Sequence, residues 1–146
     1  MHTNTSSPLM LLDTIMSDQL KNKYLAFVLD EKSREKLIKA FPPTFDKVIC
    51  HHVTLEFFIQ DQETIDKFID MTRAVVVGYI SDEALEALVV SFGAKTTRDD
   101  GSIYHITHSL TSGKRKPFDS NKLLKQKKYI DVPHIAISGT VELEDK

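Results

Sequence analysis

The chain has 146 residues, of which 41% are hydrophobic and 27% are charged, and its formal net charge is -2. This length suits one globular domain. The near-neutral charge excludes attraction to nucleic acid through an overall positive charge. Any anionic ligand must therefore be held by local groups. Cys50 is the single cysteine, which excludes an internal disulfide and favours a reducing, cytoplasmic setting.

The first 22 residues are expected to form an N-terminal tail and a short helix. Residues 1–8 are polar and rich in Ser and Thr, which is typical of a disordered tail. The apolar run at 9–12 is far too short to span a membrane, and no basic segment precedes it as in a signal peptide. We therefore expect no membrane partner, and we place a single folded domain at residues 23–146.

The remaining pattern predicts mixed α and β structure. It indicates a strand at 23–30, a helix from 31 to about 41 capped by Asp30, and a strand at 47–58. A short helix or ordered loop at 61–71 and a strand at 74–80 follow. Residues 85–92 have features of both helix and strand, and strand is chosen because a hairpin at 93–101 then leads into the next strand. A basic loop at 111–117, a helix to about 125 capped by Asp119 or Ser120, and a closing strand at 133–143 complete the chain.

One short pattern occurs twice, each time inside a predicted strand, as His52-Val53-Thr54 and His105-Ile106-Thr107. Side chains alternate along a strand, so each copy places an imidazole and a hydroxyl on one face, roughly 6.7 Å apart. By the same alternation Cys50 and Glu56 share the first of these faces, and Ser109 shares the second. Two such pairs, facing one another, would hold a group of the size of a phosphate.

Paired imidazoles and hydroxyls suit acid/base chemistry at a phosphodiester. The pKa of an unperturbed histidine is about 6.5, so one ring can be neutral and the other protonated near neutral pH. The two rings then act as base and acid, while threonine hydroxyls bind the non-bridging oxygens. The candidate catalytic residues are His52, Thr54, His105 and Thr107, and this chemistry requires neither a metal nor another cofactor.

Other uses of these residues remain open. A single His-x-Thr on a strand is more often structural than catalytic, and a zinc site is the rival chemical use of the histidines. Against zinc, the adjacent His51 and His52 point to opposite faces of a strand. The basic loop residues Lys114, Arg115 and Lys116 either neutralise a substrate phosphate or only solvate the loop. The aromatic residues of the first strand, Tyr24 and Phe27, are expected in the core.

The two His-x-Thr strands, with the strand and helix that precede the first copy, resemble the two-histidine (2H) phosphoesterase superfamily over roughly residues 23–143. The resemblance implies a bilobal α+β fold of two pseudo-symmetric lobes, in which two antiparallel sheets face a central cleft and helices pack outside. Each lobe would contribute one His-x-Thr. His52 and His105 would be the acid/base pair, in an order that stays open, and Thr54 and Thr107 would hold the phosphate.

The first hypothesis is therefore a metal-independent phosphodiesterase, a hydrolase of RNA processing that cleaves 2′,3′-cyclic phosphate, 2′,5′-linked or cyclic (oligo)nucleotides. Its partner would be a nucleotide or short RNA substrate, and a monomer is favoured. The alternative is a non-catalytic RNA- or nucleotide-binding module with the same cleft. A structural interaction protein without a ligand is the third hypothesis.

Overall fold

The structure is a computed structural model and describes residues 20–146. The tail and short helix expected over residues 1–22 fall almost entirely on residues that lie outside this range. Within it, no helix is both long enough and apolar enough to cross a membrane. The elements in chain order are β1 (Lys23–Leu29), α1 (Glu31–Ala40), β2 (Lys47–Val48), β3 (His52–Glu56), α2 (Gln62–Phe68), β4 (Arg73–Ser81), β5 (Leu85–Ser91), β6 (His105–Leu110), α3 (Asp119–Gln126) and β7 (Ile130–Asp145).

Six antiparallel strands close on themselves into a barrel. Their order is β6-β3-β1-β7-β4-β5, and β5 pairs again with β6, while the short β2 pairs with the C-terminal end of β6. The predicted bilobal α+β arrangement of two sheets facing a cleft is therefore wrong. The strands that carry the two His-x-Thr patterns are neighbours in one sheet, and the long β7 joins β1 to β4. Within residues 20–146, closure leaves one barrel with three short helices packed on it.

The barrel interior is a single apolar core. Alternate side chains of a strand point to opposite faces, and each of the six barrel strands sends one set inward. The core residues include Leu25, Phe27, Val53, Val76, Val90, Ile106 and Val141, all buried. Burial of apolar area at about 25 cal/mol per Å² makes this core the main source of stability.

The strands β1 and β7 approach so closely that one position must be glycine. A Cβ atom added to Gly139 would lie 2.1 Å from the carbonyl oxygen of Val28. No side chain fits there, because the obstructing atom is backbone and cannot move away alone. The N–H of Gly139 donates to the carbonyl oxygen of Thr72 at 3.0 Å, which ties the start of β4 to the same place.

The helices predicted within residues 23–146 and most of the predicted strands are confirmed. The Asp30 carboxylate accepts from the N–H of Ser33 at 2.8 Å and caps α1. The residues 85–92 form a strand, β5, as chosen. The predicted cap of the last helix is wrong: α3 follows Phe118, and no side chain caps it. The side chains of Leu123 and Leu124 pack α3 on the outer face of the barrel, with Ile80, Leu85, Ala87, Val89 and Leu110.

A buried carboxylate fastens the loop between α1 and β2 to the barrel wall. Glu86 is 1% exposed, and its oxygens accept hydrogen bonds from the N–H of Thr44 at 2.8 Å, from the hydroxyl of Tyr79 at 2.7 Å and from Ser109. Burial alone would raise the pKa of Glu86, but these donors outweigh burial and lower the pKa. Glu86 therefore stays ionised inside the fold.

The same region breaks the predicted alternation of β6. The register of β5 and β6 shifts between Glu86 and Ala87, which leaves His108 as a bulge. Beyond it Ser109 is buried against Glu86, and Leu110 packs with Leu123 and Leu124 of α3 on the outer face of the barrel. The prediction that Ser109 shares the face of His105 is therefore wrong. His108 itself is buried and donates from Nε2 to the carbonyl oxygen of Phe41 at 2.7 Å.

Replacement of the buried carboxylate tests how much this network stabilises the fold. In Glu86→Gln an NH₂ group replaces one carboxylate oxygen. It cannot accept the hydrogen bonds that Thr44 and Ser109 donate at that position. We expect a loss of about 3 kcal/mol in the free energy of unfolding, measured by urea denaturation at pH 7. The control Glu35→Gln changes an exposed carboxylate of α1 and should shift it by less than about 0.5 kcal/mol. Equal stabilities of the two variants would contradict a fastening role for Glu86.

Candidate functional site

The structure brings the four predicted catalytic residues to one cavity. His52, Thr54, His105 and Thr107 all line a cavity of about 610 Å³, which is within the usual range for ligand pockets. The cavity lies outside the barrel core, on the face of β3 and β6 that α3 and the loop before it approach. Two sequence copies about fifty positions apart in the chain thus share one site.

Strand pairing explains why the four side chains meet. Val53 of β3 lies directly opposite Ile106 of β6 in an antiparallel pair. Both are fully buried and point into the barrel, so the residues on either side of them point outward. Continuing this register places His52 beside Thr107 and Thr54 beside His105, as cross-strand neighbours. The predicted pairing of imidazole and hydroxyl on one face of each strand is confirmed.

A sharp turn at Cys50 sets the start of β3. Cys50 has φ 38°, a left-handed conformation that side chains rarely adopt, and its N–H donates to the carbonyl oxygen of Thr107 at 2.9 Å. The N–H of Leu29 donates to the carbonyl oxygen of His51 at 3.0 Å. The predicted continuous strand at 47–58 is therefore wrong, because the turn splits it. Cys50 is buried in the core and does not share the face of His52.

Both ring nitrogens of His52 have partners. Nε2 lies 3.2 Å from the hydroxyl oxygen of Tyr24, and Nδ1 lies 3.0 Å from Nδ1 of His51. Burial, and then repulsion by His51 and His105, lowers the pKa of His52 to about 4. Burial and the charge of Glu144 raise the pKa of Tyr24, so its hydroxyl keeps its proton. At neutral pH, His52 is an uncharged ring within a chain of three hydrogen-bonding groups.

His105 is held in one tautomer. Its Nδ1 lies 2.8 Å from the carbonyl oxygen of Ile103, which can only accept, so Nδ1 carries a proton and donates. Burial lowers the pKa of His105, the bond to Ile103 opposes that shift, and the charge of Arg98 adds to it. The neutral ring therefore carries its lone pair on Nε2, for which no partner is found among residues 20–146.

The two threonines differ in what their hydroxyls bind. The hydroxyl of Thr107 lies 3.2 Å from the carbonyl oxygen of Pro117 and 2.8 Å from Oγ of Ser120, so its single proton is donated within the protein. Thr54 is half-buried, and no side-chain partner of its hydroxyl is found in the described part of the chain. Thr54 is thus ready to donate to a ligand, whereas Thr107 anchors the segment that leads into α3.

The predicted basic loop does not reach the cavity. Lys114, Arg115 and Lys116 are not among the residues that line it, and the Arg115 guanidinium pairs with Asp82 at 3.2 Å and Glu83 at 2.9 Å. The basic side chains that do line it come from three other segments: Arg98, Lys125 and Lys146. These three residues are far apart in the sequence, so no cluster of basic residues indicated them.

Aromatic residues of the cavity were also missed. Tyr24, expected in the core, lies on the face opposite to the buried Phe27 and lines the cavity. Phe58 and Phe118 line it too, 72% and 65% exposed. The predicted alternation of the first strand was a usable signal for Tyr24, since it separates Tyr24 from Leu25 and Phe27. Nothing in the sequence signalled Phe118.

The residues from 20 to 146 contain no group of three or more His, Cys, Asp or Glu side chains that could hold a metal ion together. Comparison with known proteins adds no assignment. No family model matches the chain, and no curated protein or solved structure matches it.

The lowered pKa of His52 predicts a loss of stability in acid. The pKa is about 4 when folded, against 6.5 ordinarily, so below pH 6.5 the unfolded chain binds a proton that the folded chain does not. The contribution of His52 to the free energy of unfolding is therefore fully present above pH 6.5 and is lost as the pH drops toward 4. At about 1.4 kcal/mol per pKa unit, and with screening at a half-buried ring, we expect a loss of about 2 kcal/mol.

The measurement is the free energy of unfolding of the wild type and of His52→Gln between pH 4 and 7. The difference in free energy of unfolding between the two proteins gives the contribution of the His52 ring, because all other titrating groups are the same in both. The wild type should lose more stability than the variant in acid. Parallel curves would show that His52 titrates normally in the folded protein.

Proposed function

We propose that this chain is a metal-independent phosphodiesterase that acts on 2′,3′-cyclic phosphate, 2′,5′-linked or cyclic (oligo)nucleotides. The observation that carries the proposal is that both His-x-Thr patterns line one cavity. Two imidazoles and a donor hydroxyl are the groups that phosphodiester cleavage needs. Basic and aromatic side chains in the same lining suit a phosphate and a base. We also propose that the protein acts in the cytoplasm.

The free nitrogen of His105 makes it the base. A water molecule attacks phosphorus and gives its proton to Nε2 of His105 as the new P–O bond forms. Thr54 donates a hydrogen bond to a non-bridging oxygen, where negative charge builds up. Lysine side chains that line the same cavity would bind the second non-bridging oxygen.

His52 and Tyr24 form the acid. The bond from phosphorus to the leaving oxygen breaks as the Tyr24 hydroxyl donates its proton to that oxygen and receives the proton of Nε2 from the His52 imidazolium. In the free protein His52 is neutral at pH 7 because its pKa is about 4. A bound phosphate anion stabilises the imidazolium by its charge and so raises that pKa. Substrate binding therefore favours the protonated form of His52, which is the form that the acid step needs.

A non-catalytic nucleotide-binding module is the second candidate. It is favoured by the hydroxyl of Thr107, which is engaged with Pro117 and Ser120, and by the lowered pKa of both histidines, which leaves no acid in the free protein. Such a module would bind the same ligands in the same cavity without turnover.

The decisive experiment separates turnover from binding. The protein is incubated with cyclic and 2′,5′-linked nucleotides in EDTA, and products are read by chromatography. His52→Ala and His105→Ala should each lower kcat by about 10²- to 10⁴-fold, while His134→Ala, an exposed histidine away from the cavity lining, should not. Binding without turnover in the wild type would favour the module, and turnover abolished by EDTA would overturn the metal-independent mechanism.

The pH profile gives an independent check. The profile of kcat/KM reports the ionisations of the free protein, and here it needs His52 protonated and His105 neutral. Since the pKa of each is lowered from 6.5, the maximum of the bell lies midway between two values below 6.5. We expect an acidic optimum, below about pH 6.5. A maximum at pH 7.5 or above would contradict the assignment of these two rings.

A further inference from the structure

Two strongly exposed aromatic rings face the cavity. Phe58 is 72% exposed and Phe118 is 65% exposed, and both line it. Because they border the cavity, the exposed faces of these rings are available for stacking with a planar group of a ligand. Each ring also has an ammonium group near it, since Nζ of Lys146 lies 4.7 Å from the centre of Phe58 and Nζ of Lys122 lies 5.9 Å from that of Phe118.

The two rings belong to different sides of the candidate site. Phe58 follows β3, and its neighbour Phe57 stacks on Tyr24 with ring centres 6.0 Å apart. Tyr24 in turn contacts His52. Phe118 lies on the β6 side, because Pro117, directly before it, and Ser120, two residues after it, both bind the hydroxyl of Thr107. One exposed ring thus accompanies each His-x-Thr strand.

A cation for which the described part of the chain provides no ion-pair partner lies on the same wall as Phe118. Lys125 follows Asn121 by about one helical turn on α3, and both line the cavity. Lys125 is exposed, and no carboxylate partner for it is found in residues 20–146. Arg98, in contrast, is paired with Asp100 at 3.4 Å. Lys125 is therefore free to contact a phosphate oxygen.

We propose that the cavity binds an internucleotide phosphodiester with a base on each side of it, one stacked on Phe58 and the other on Phe118. The linking phosphate then lies at His52 and His105, with Lys125 beside it. This inference rests on the proposed function and narrows its substrate to linked nucleotides. A terminal 2′,3′-cyclic phosphate has one base and fills only one of the two aromatic positions.

The test compares two probes, adenylyl-adenosine and adenosine 2′,3′-cyclic phosphate. Their Kd is measured by calorimetry in EDTA with the full chain carrying His105→Ala, which keeps the probes intact, and their turnover is measured with the wild type. Phe58→Leu and Phe118→Leu are added to each protein. Ile130→Ala is the control, since Ile130 is 63% exposed and does not line the cavity.

The expected result is that adenylyl-adenosine binds about 10-fold more tightly than the cyclic phosphate, as one more base–aromatic contact predicts. Each Phe→Leu change should weaken adenylyl-adenosine about 10-fold and leave the fold intact by thermal melting, whereas Ile130→Ala should leave Kd unchanged.

The other outcomes separate this inference from the proposed function. If the cyclic phosphate is cleaved and both Phe→Leu variants bind and cleave normally, the two-base inference is overturned and the phosphodiesterase stands. If adenylyl-adenosine binds with the expected dependence on both rings and is never cleaved, the two-base inference stands and the phosphodiesterase is overturned. If neither probe binds to His105→Ala and neither is cleaved by the wild type, both are overturned.

Discussion

The backbone pairing of β3 with β6 is the constraint on which the candidate site depends. Val53 and Ile106 lie opposite each other and fill the core, and the N–H of Cys50 binds the carbonyl oxygen of Thr107. The outward positions of His52 and His105 follow from that packing. Since the barrel core fixes them, the protein needs no ligand to bring the imidazoles together, and their preorganisation costs nothing when a ligand binds.

Burial beside the core has an electrostatic consequence. It holds His52 neutral, with a pKa of about 4, and lowers the pKa of His105 as well. The protein compensates the polar atoms with hydrogen bonds to Tyr24, His51 and Ile103 and not with carboxylates. An anion bound beside His52 would stabilise the protonated form of that ring, so that anion binding and protonation of His52 would be coupled by linkage.

The sequence predicted what depends on local pattern. Alternation in β1, β3 and the first half of β6 gave the strands and the outward faces of His52 and His105, and Asp30 gave the start of α1. Barrel closure was not predictable in this way, because it depends on which distant strands pair, and the pairing of β5 with β6 leaves no local trace. The turn at Cys50 and the bulge at His108 were missed because each depends on a neighbouring strand. The N–H of Cys50 binds Thr107 of β6, and the bulge in β6 arises where that strand pairs with β5.

The two His-x-Thr copies are alike in sequence and unlike in environment. Thr54 keeps a hydroxyl for a ligand, whereas the hydroxyl of Thr107 is shared with Pro117 and Ser120, and Ser120 is fully buried. The second copy therefore positions one wall of the cavity. The contacts of Thr107 with Pro117 and Ser120 place Phe118 and the first turn of α3 beside the cavity. The two copies therefore differ in role within the fold: Thr54 lines the cavity, and Thr107 holds the segment that leads into α3.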